Sequence, residues 1–201
     1  MVILQSTKYK VNEIFSSHQG EGFNVGREVV FIRLSGCNLS CNFCDTNHKS
    51  FTEMSVEDIL KKVNEYNLNS VIITGGEPLI YNLFHLLFML KAKRYWIAIE
   101  SNGSYCFDKI IEFTDYITIS PKSSKVKNVS DEVRVVNNNL NIDTLLDIEK
   151  NCIAKHYFLS PLEHNNQFNY LDTIKLLGMV NRVSNKNWHL SLQMHKIIGI
   201  E

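Results

Sequence analysis

Apolar residues along this chain recur with two different spacings, and these separate predicted strands from predicted helices. Seven short apolar runs, rich in β-branched or aromatic residues and bounded by polar or turn-forming residues, predict strands. They cover residues 29–34, 70–74, 95–99, 116–119, 132–136, 156–159 and 188–192.

Helical spacing appears between several of these strands. Ser55 followed by Asp58 forms a capping box, and apolar residues then recur on one face, which predicts an amphipathic helix. Residues 81–93 are apolar on nearly every side and predict a helix enclosed in the core. The apolar spacing at residues 142–146 and 171–177 predicts two more helices.

Strands that alternate with helices favour an α/β fold with a parallel sheet and crossover helices. In such folds, ligands bind at the carboxyl ends of the strands. Four predicted strands end at chemically distinctive segments. These are the cysteine-rich loop after Leu34, Gly75-Gly76 after Thr74, residues 100–103 after Ile99, and residues 120–122 after Ile119. We expect the four loops to converge on one pocket.

Composition narrows the class of protein. A length of 201 residues with 44% hydrophobic residues is typical of one globular domain, here residues 1–201. Lys plus Arg and Asp plus Glu both total 21, and a formal charge of zero argues against a protein that coats nucleic acid. The most apolar window, residues 83–90, is too short to span a bilayer. The first residues lack the pattern of a signal or transit peptide. We therefore expect a cytoplasmic protein with no nucleic-acid or membrane partner.

Three of the five cysteines lie within eight residues. Cys37, Cys41 and Cys44 form the spacing Cys-x3-Cys-x2-Cys, and thiolates this close in sequence converge only around a metal or cluster. Three ligands are one fewer than the usual four of an iron–sulfur cluster, which leaves one iron open. A structural zinc site that adds His48 as fourth ligand is the alternative. Cys106 and Cys152 have no such spacing, so we expect both to be buried.

The cysteine spacing, with Phe43 directly before the third cysteine, resembles the radical S-adenosylmethionine (SAM) enzymes. This resemblance implies a 4Fe–4S cluster whose open iron binds SAM, within a reduced, partly open (β/α) barrel of parallel strands. Gly75-Gly76-Glu77-Pro78 closes a predicted strand and is similar to the motif that holds the SAM amino group in that superfamily. A zinc-stabilised module gives no reason for this second motif.

Motifs towards both ends of the chain resemble one family within the superfamily, the 7-carboxy-7-deazaguanine synthases. They are Glu13-Ile14-Phe15, Gln19-Gly20-Glu21-Gly22, Arg33-Leu34-Ser35-Gly36-Cys37, Cys44-Asp45-Thr46 and the tail 188–201. The resemblance implies a lyase that converts 6-carboxy-5,6,7,8-tetrahydropterin to 7-carboxy-7-deazaguanine and ammonia, a step in queuosine and other deazapurine biosynthesis.

The same resemblance implies three groups of site residues. The cluster ligands are Cys37, Cys41 and Cys44, and Thr46 binds Mg2+ beside the substrate. SAM contacts Phe43, Cys44, Asp45, Gly76, Glu77, Ser101, Ser120, Pro121 and Lys122. The pterin contacts His18, Gln19, Gly20, Glu21, Arg33, Thr74 and Glu201. Gln193 and His195 lie in the similar tail, and their roles stay open.

The expected partners are the pterin, a flavodoxin- or ferredoxin-like electron donor and a second copy of the chain in a homodimer. Three alternatives remain. The first is a radical SAM activase that acts on a partner protein. The second is a radical SAM enzyme for another small molecule, and the third is a zinc-stabilised binding module.

Overall fold

Parallel strands with helices between them form the fold, as the sequence predicts. The structure is a computed structural model that describes residues 8–44, 50–164 and 167–200. The chain divides into two compact units. The first comprises the described residues up to Ser17, residues 28–101 and residues 107–116. The second comprises residues 18–27, 102–106 and the described residues from Ile117 onward.

The first unit is built on five strands and two helices. In chain order its elements are β1 (Tyr9–His18, whose last residue belongs to the second unit), β2 (Glu28–Leu34), β3 (Thr52–Met54), α1 (Val56–Asn64), β4 (Ser70–Gly75), a 3-10 turn (Pro78–Ile80), α2 (Phe84–Ala92), β5 (Trp96–Ser101) and a second 3-10 turn (Ile111–Phe113). The strands lie in the spatial order β3-β1-β2-β4-β5. β2, β4 and β5 are parallel, with Val71 opposite both Val30 and Ile97, so their carboxyl ends share one edge.

The second unit is built on a parallel sheet and three helices. Its elements are β6 (Tyr116–Ile119, whose first residue belongs to the first unit), β7 (Asn128–Val129), β8 (Glu132–Asn137), α3 (Ile142–Asn151), β9 (Cys152–Ile153), β10 (His156–Pro161), β11 (Glu163–His164), β12 (Gln167–Phe168), α4 (Tyr170–Val180), β13 (Trp188–Leu190) and α5 (Met194–Ile198). The spatial order of the sheet is β6-β8-β10-β13, and all of these neighbours are parallel. β7 pairs with β9, and β11 pairs with β12.

The capping box predicted at the start of α1 is present. The Ser55 hydroxyl accepts a hydrogen bond from the Asp58 N–H at 3.1 Å, and the Asp58 carboxylate accepts one from the Ser55 N–H at 3.1 Å. Val56, Ile59 and Val63 are buried on one face of the helix. Amphipathic spacing and capping therefore agree with the observed helix.

The prediction for residues 81–93 is wrong in one respect. A helix forms at Phe84–Ala92, but it is not enclosed, because Phe84 is 49% exposed and Phe88 is 50% exposed. Leu86, Leu87 and Leu90 are buried instead, so α2 has one buried face, and two aromatic residues lie on its exposed side.

The helix predicted at residues 171–177 is present as α4, but the face it buries does not include Leu171 or Ile174. Leu171 is 73% exposed and Ile174 is also exposed, whereas Thr173, Leu176 and Val180 are buried. Thr173 is tolerated in the interior because its hydroxyl accepts a hydrogen bond from Asn137 Nδ2 at 3.0 Å.

Two further predictions are tested by the fold. Cys152 is buried as expected, whereas Cys106 is exposed, because it lies in a loop rather than in an apolar element. None of the helices formed by the described residues combines the length and apolar character that crossing a bilayer requires. The single-domain assignment stays a prediction.

Candidate active site

The turn after β4 is bonded to the loop that carries the first cysteine. The N–H of Gly76 donates to the carbonyl of Leu34 at 3.1 Å, and the N–H of Glu77 donates to the carbonyl of Gly36 at 2.9 Å. Two of the four loops that were expected to converge therefore meet. Both lie at the carboxyl ends of parallel strands, as the position of ligand sites in α/β folds predicts.

The glycines of this turn are needed for close packing. Gly75 has a φ of 139°, a conformation that residues with a side chain rarely adopt. A β-carbon on Gly76 would collide with the Gly36 carbonyl and lie 2.9 Å from the Cβ of Cys37. The absent side chains thus bring the turn against the cysteine loop itself.

Glu77 links this turn to the end of β5. Its side chain is 0% exposed, and its Oε1 accepts hydrogen bonds from the N–H of Leu79 at 3.0 Å and from the Ser101 hydroxyl at 2.9 Å. A buried carboxylate can stabilise a cationic group placed beside it. Glu77 and Ser101, both predicted as SAM contacts, therefore lie together.

The three cysteines of the motif are in the thiol form and are at least partly exposed. The N–H of Leu39 donates to the Cys37 Sγ at 3.4 Å, and the N–H of Cys44 donates to the carbonyl of Cys41 at 3.3 Å. In the described part of the chain, no three Cys, His, Asp or Glu side chains meet closely enough to hold an ion. The donor chemistry nevertheless fits an iron–sulfur cluster, since one loop supplies three accessible thiols.

Arg33 and Thr74 occupy neighbouring strands of the first unit and face each other in register. Arg33 Nε lies 2.6 Å from Glu13 Oε1, and the guanidinium lies over the Phe15 ring at 5.5 Å. The Nε–H is not aligned with Glu13, so the 2.6 Å contact is an ion pair without a hydrogen bond. The Thr74 hydroxyl lies 3.5 Å from Glu100 Oε2.

The segment Gln19-Gly20-Glu21-Gly22 belongs to the second unit. Glu21 Oε2 lies 3.0 Å from Arg134 Nη1, and its Oε1 accepts a hydrogen bond from Gln193 Nε2 at 3.0 Å. The carbonyl of Gly20 accepts from the N–H of Met194 at 3.0 Å. The predicted substrate segment is thus fastened to the C-terminal tail, which includes Gln193.

Close packing explains why positions 20 and 22 of this segment are glycine. A β-carbon on Gly20 would collide with the imidazole of His195. Gly22 has a φ of 68°, and a β-carbon there would collide with the Glu132 carboxylate. His18 is exposed, whereas Gln19 is buried, and its side-chain oxygen accepts from the Glu21 N–H at 3.1 Å.

The remaining predicted residues are placed as follows. In the second unit Ser120 is half-buried, Pro121 buried and Lys122 exposed, directly after β6. Phe43 is half-buried in the cysteine loop. Asp45, Thr46 and Glu201 lie outside the described residues, as does His48 of the zinc alternative.

Glu132 and Arg134 are not among the predicted site residues, although Glu132 accepts the N–H of Phe23, directly after Gly22, and Arg134 contacts the Glu21 carboxylate. A signal was available in the sequence. Both lie in an apolar strand, two residues apart, which places them on one face. Charged residues within such a strand are rarely buried unless they are paired.

Comparisons with known proteins agree with this arrangement. Residues 31–158 match the family model of the Radical SAM superfamily. The 7-carboxy-7-deazaguanine synthase of Haemophilus influenzae is 44% identical, over 96% of this chain and 94% of the relative. The enzyme of that name from Neisseria meningitidis serogroup B is 39% identical, over 98% of this chain and 96% of the relative.

Solved structures resemble the fold. The crystal structure of QueE from Escherichia coli aligns with a TM-score of 0.73 and 24% identity, over 94% of this chain and 95% of that one. Streptococcus suis SuiB bound to precursor peptide SuiA aligns with a TM-score of 0.60 over 81% of this chain and 48% of that one, at 17% identity. The predicted fold class and family are both confirmed. This chain belongs to the radical SAM superfamily and, within it, to the 7-carboxy-7-deazaguanine synthase family.

Proposed function

We propose that this chain converts 6-carboxy-5,6,7,8-tetrahydropterin to 7-carboxy-7-deazaguanine with loss of ammonia. The observation that carries this proposal is the similarity to enzymes of that name along nearly the full length of both chains. The family implies a 4Fe–4S cluster, SAM and Mg2+. When bound, these groups would supply the radical chemistry that removes a hydrogen atom from C6 of the pterin, as the ring contraction with loss of ammonia requires.

Cys37, Cys41 and Cys44 would hold the cluster, and Thr46 would bind Mg2+. Support for the cluster comes from three accessible thiols on one loop and from the Gly76 turn that is hydrogen-bonded to that loop. Within this scheme the turn fixes the backbone on one side of the loop, so that the thiols need only close around the cluster.

Glu77 would accept hydrogen bonds from the SAM ammonium, beside Gly76 and Ser101. Its burial supports this role, since a buried carboxylate is stabilised by a cation beside it, and the Ser101 hydroxyl bonded to it lies at the end of the neighbouring strand. Phe43 and Asp45 of the cysteine loop are proposed as further SAM contacts, as are Ser120, Pro121 and Lys122 after β6.

Arg33 would bind the substrate carboxylate, with Thr74 and the carboxylate of Glu201 as further pterin contacts. A guanidinium binds a carboxylate through two parallel N–H donors. The ion pair with Glu13 is made through Nε, and a two-point contact of a ligand carboxylate with Nη1 and Nη2 is compatible with it. The ion pair with Glu13 and the Phe15 ring hold the side chain in place.

Glu21 would accept hydrogen bonds from the N–H edge of the aminopyrimidinone ring, with His18, Gln19 and Gly20 beside it. A carboxylate offers about four acceptor positions. Arg134 and Gln193 each contact one of its two oxygens, which leaves acceptor positions for a ligand.

The enzyme would work in the cytoplasm as a homodimer and take electrons from a flavodoxin- or ferredoxin-like protein. A cluster that depends on accessible thiols requires a reducing compartment, which supports this location. The electron donor and the dimer follow from the family resemblance alone.

The test is anaerobic cluster loading followed by incubation with SAM, dithionite and the carboxypterin, with products identified by mass. We expect a brown protein with about four irons per chain, and formation of 7-carboxy-7-deazaguanine. The Cys41→Ala variant is expected to lose both. SAM cleavage without the deazaguanine would indicate another substrate or a protein partner. A colourless chain with one zinc would refute the enzyme altogether.

A further inference from the structure

Glu21 belongs to a closed ring of contacts in the second unit, formed by charged side chains and one backbone N–H. Arg134 Nη1 lies 3.0 Å from Glu21 Oε2, and Arg134 Nε lies 2.8 Å from Glu132 Oε1. The other Glu132 oxygen accepts the N–H of Phe23 at 2.9 Å. The series of contacts therefore runs from the Phe23 N–H, directly after the Gln19–Gly22 segment, through Glu132 and Arg134 to Glu21.

The two residues of β8 in this ring are buried, unlike the residues of a surface ion pair. Glu132 is 1% exposed and Arg134 is 6% exposed. Burying an ionic group is unfavourable unless it is paired and hydrogen-bonded, and each of these two groups has an ionic partner. The residues next to Arg134 in β8, Val133 and Val135, are buried and apolar, so the two charged residues stand out in an otherwise apolar part of the strand.

The geometry fixes both rotation and tilt of the Glu21 carboxylate. Arg134 holds one oxygen, and Gln193 Nε2 holds the other at 3.0 Å. The glycine at position 22 lets Glu132 approach the segment, since any β-carbon there would occupy the place of its carboxylate. The Gln19–Gly22 segment, Glu132 and the Glu21 carboxylate are therefore held in fixed positions relative to one another.

We infer that Arg134, anchored by Glu132, is a positioning residue that aims the Glu21 carboxylate at the paired N–H donors of a 2-amino-4-pyrimidinone ring. This inference rests on the proposed function of Glu21. On this inference, Glu21, Arg134 and Glu132 together select substrates that carry the 2-amino group. A site built to accept two N–H donors rejects an analogue that has only one.

The experiment compares kcat/KM for the carboxypterin with kcat/KM for its 2-deamino analogue in the cluster-loaded enzyme. The ratio of the two values measures recognition of the amino group and is insensitive to a general loss of active protein. In Arg134→Lys, which keeps the charge but not the planar fork, we expect the ratio to fall about tenfold or more, with KM for the carboxypterin raised. SAM cleavage by dithionite without substrate is measured in parallel, because the proposed SAM contacts are other residues, so that a loss of cluster or SAM binding is separated from a loss of amino-group recognition.

Glu132→Gln is the second variant, because Arg134→Lys can fail to fold. The amide oxygen still accepts the Phe23 N–H, while Arg134 loses its charged anchor, so we expect the same change in the ratio at smaller size. Lys155→Met is the control, since Lys155 forms an exposed ion pair with Asp131 in the same unit.

The outcomes separate the inference from the proposed function. If Glu21→Gln lowers the ratio but Arg134→Lys and Glu132→Gln do not, Arg134 is not a positioning residue and the inference is overturned. If Glu21→Gln leaves the ratio unchanged, the role of Glu21 is wrong and the inference falls with it, although wild-type turnover still supports the proposed enzyme.

Discussion

Gly76 packs so closely on Gly36 that a β-carbon at position 76 would collide with the Gly36 carbonyl. The same two segments are joined by the hydrogen bond from the Glu77 N–H to that carbonyl, at 2.9 Å. The two glycines therefore do more than allow a ligand to approach. They allow the turn after one strand to support the loop that bears the thiols.

Replacing Gly76 with Ala is expected to lower iron incorporation. The added methyl group must push the turn away from Gly36, and forcing an atom into a packed contact destabilises by about 1–3 kcal/mol. Iron content after anaerobic loading, together with denaturant unfolding, measures both effects. The matched control is Gly178→Ala, because a β-carbon on Gly178 meets nothing within 4 Å. In the helix α4 that change is expected to stabilise by roughly 1 kcal/mol. Full iron loading of Gly76→Ala would contradict this account of the turn.

Replacing Arg33 with Ala is expected to raise KM for the pterin while SAM cleavage without substrate continues. A hydrogen bond to a charged group contributes about 2 kcal/mol, or about 30-fold in KM. Glu13→Gln removes the ion pair but keeps the Phe15 contact, so we expect a smaller rise. Steady-state kinetics with excess SAM measures both variants, and Arg182→Ala, at an exposed position, is the control. An unchanged KM in Arg33→Ala would exclude Arg33 from substrate binding.

Local signals in the sequence predict most of this fold. The runs at residues 116–119 and 132–136 become strands with nearly the same bounds, because β-branched residues in a short run suit a buried parallel strand. Position after a strand also predicts that the Gly76 turn and the cysteine loop meet. β1 escapes prediction because its sequence, YKVNEIFSSH, mixes polar residues into the apolar alternation.

Pairing between distant residues cannot be predicted in the same way. Phe84 and Phe88 are of a residue type that is usually buried, and only the tertiary packing of α2 leaves them exposed. Arg134 lies 113 positions from Glu21, so no local pattern in the sequence indicates that they pair. The three thiols of the motif are recognised from spacing, yet their side chains do not converge in the described structure.

Replacing Glu77 with Gln is expected to weaken SAM binding without unfolding the turn. The amide oxygen can still accept from Leu79 and Ser101, so the local hydrogen bonds are kept. The negative charge that would face the ammonium is lost, which weakens binding by about 1.5–3 kcal/mol, or roughly 10- to 150-fold in Kd. Calorimetric titration of the cluster-loaded protein with SAM measures the Kd, and the exposed Glu57→Gln is the control. Wild-type affinity in Glu77→Gln would mean that the carboxylate only caps the 3-10 turn.

Stability above neutral pH is expected to depend on Cys152. Burial raises the pKa of its thiol from an ordinary value near 9 to about 11, against a smaller opposing effect of a backbone hydrogen bond. Between these two pH values the unfolded chain has lost the proton while the folded chain keeps it. The free energy of unfolding therefore falls as pH rises from about 9 to about 11, and the contribution is intact below pH 9.

Cys152→Ala removes this titration. The variant is expected to be less stable at pH 8, because a buried side chain is truncated, but to lose less stability between pH 9 and 11, by up to about 1.4 kcal/mol per pH unit. Denaturant unfolding of the cluster-free chain under reductant, at a series of pH values, measures the slope. Cys106→Ala is the control, since that thiol is exposed in the folded chain, so that the comparison isolates the removal of a buried thiol. Parallel slopes for wild type and Cys152→Ala would show that burial does not hold this thiol protonated.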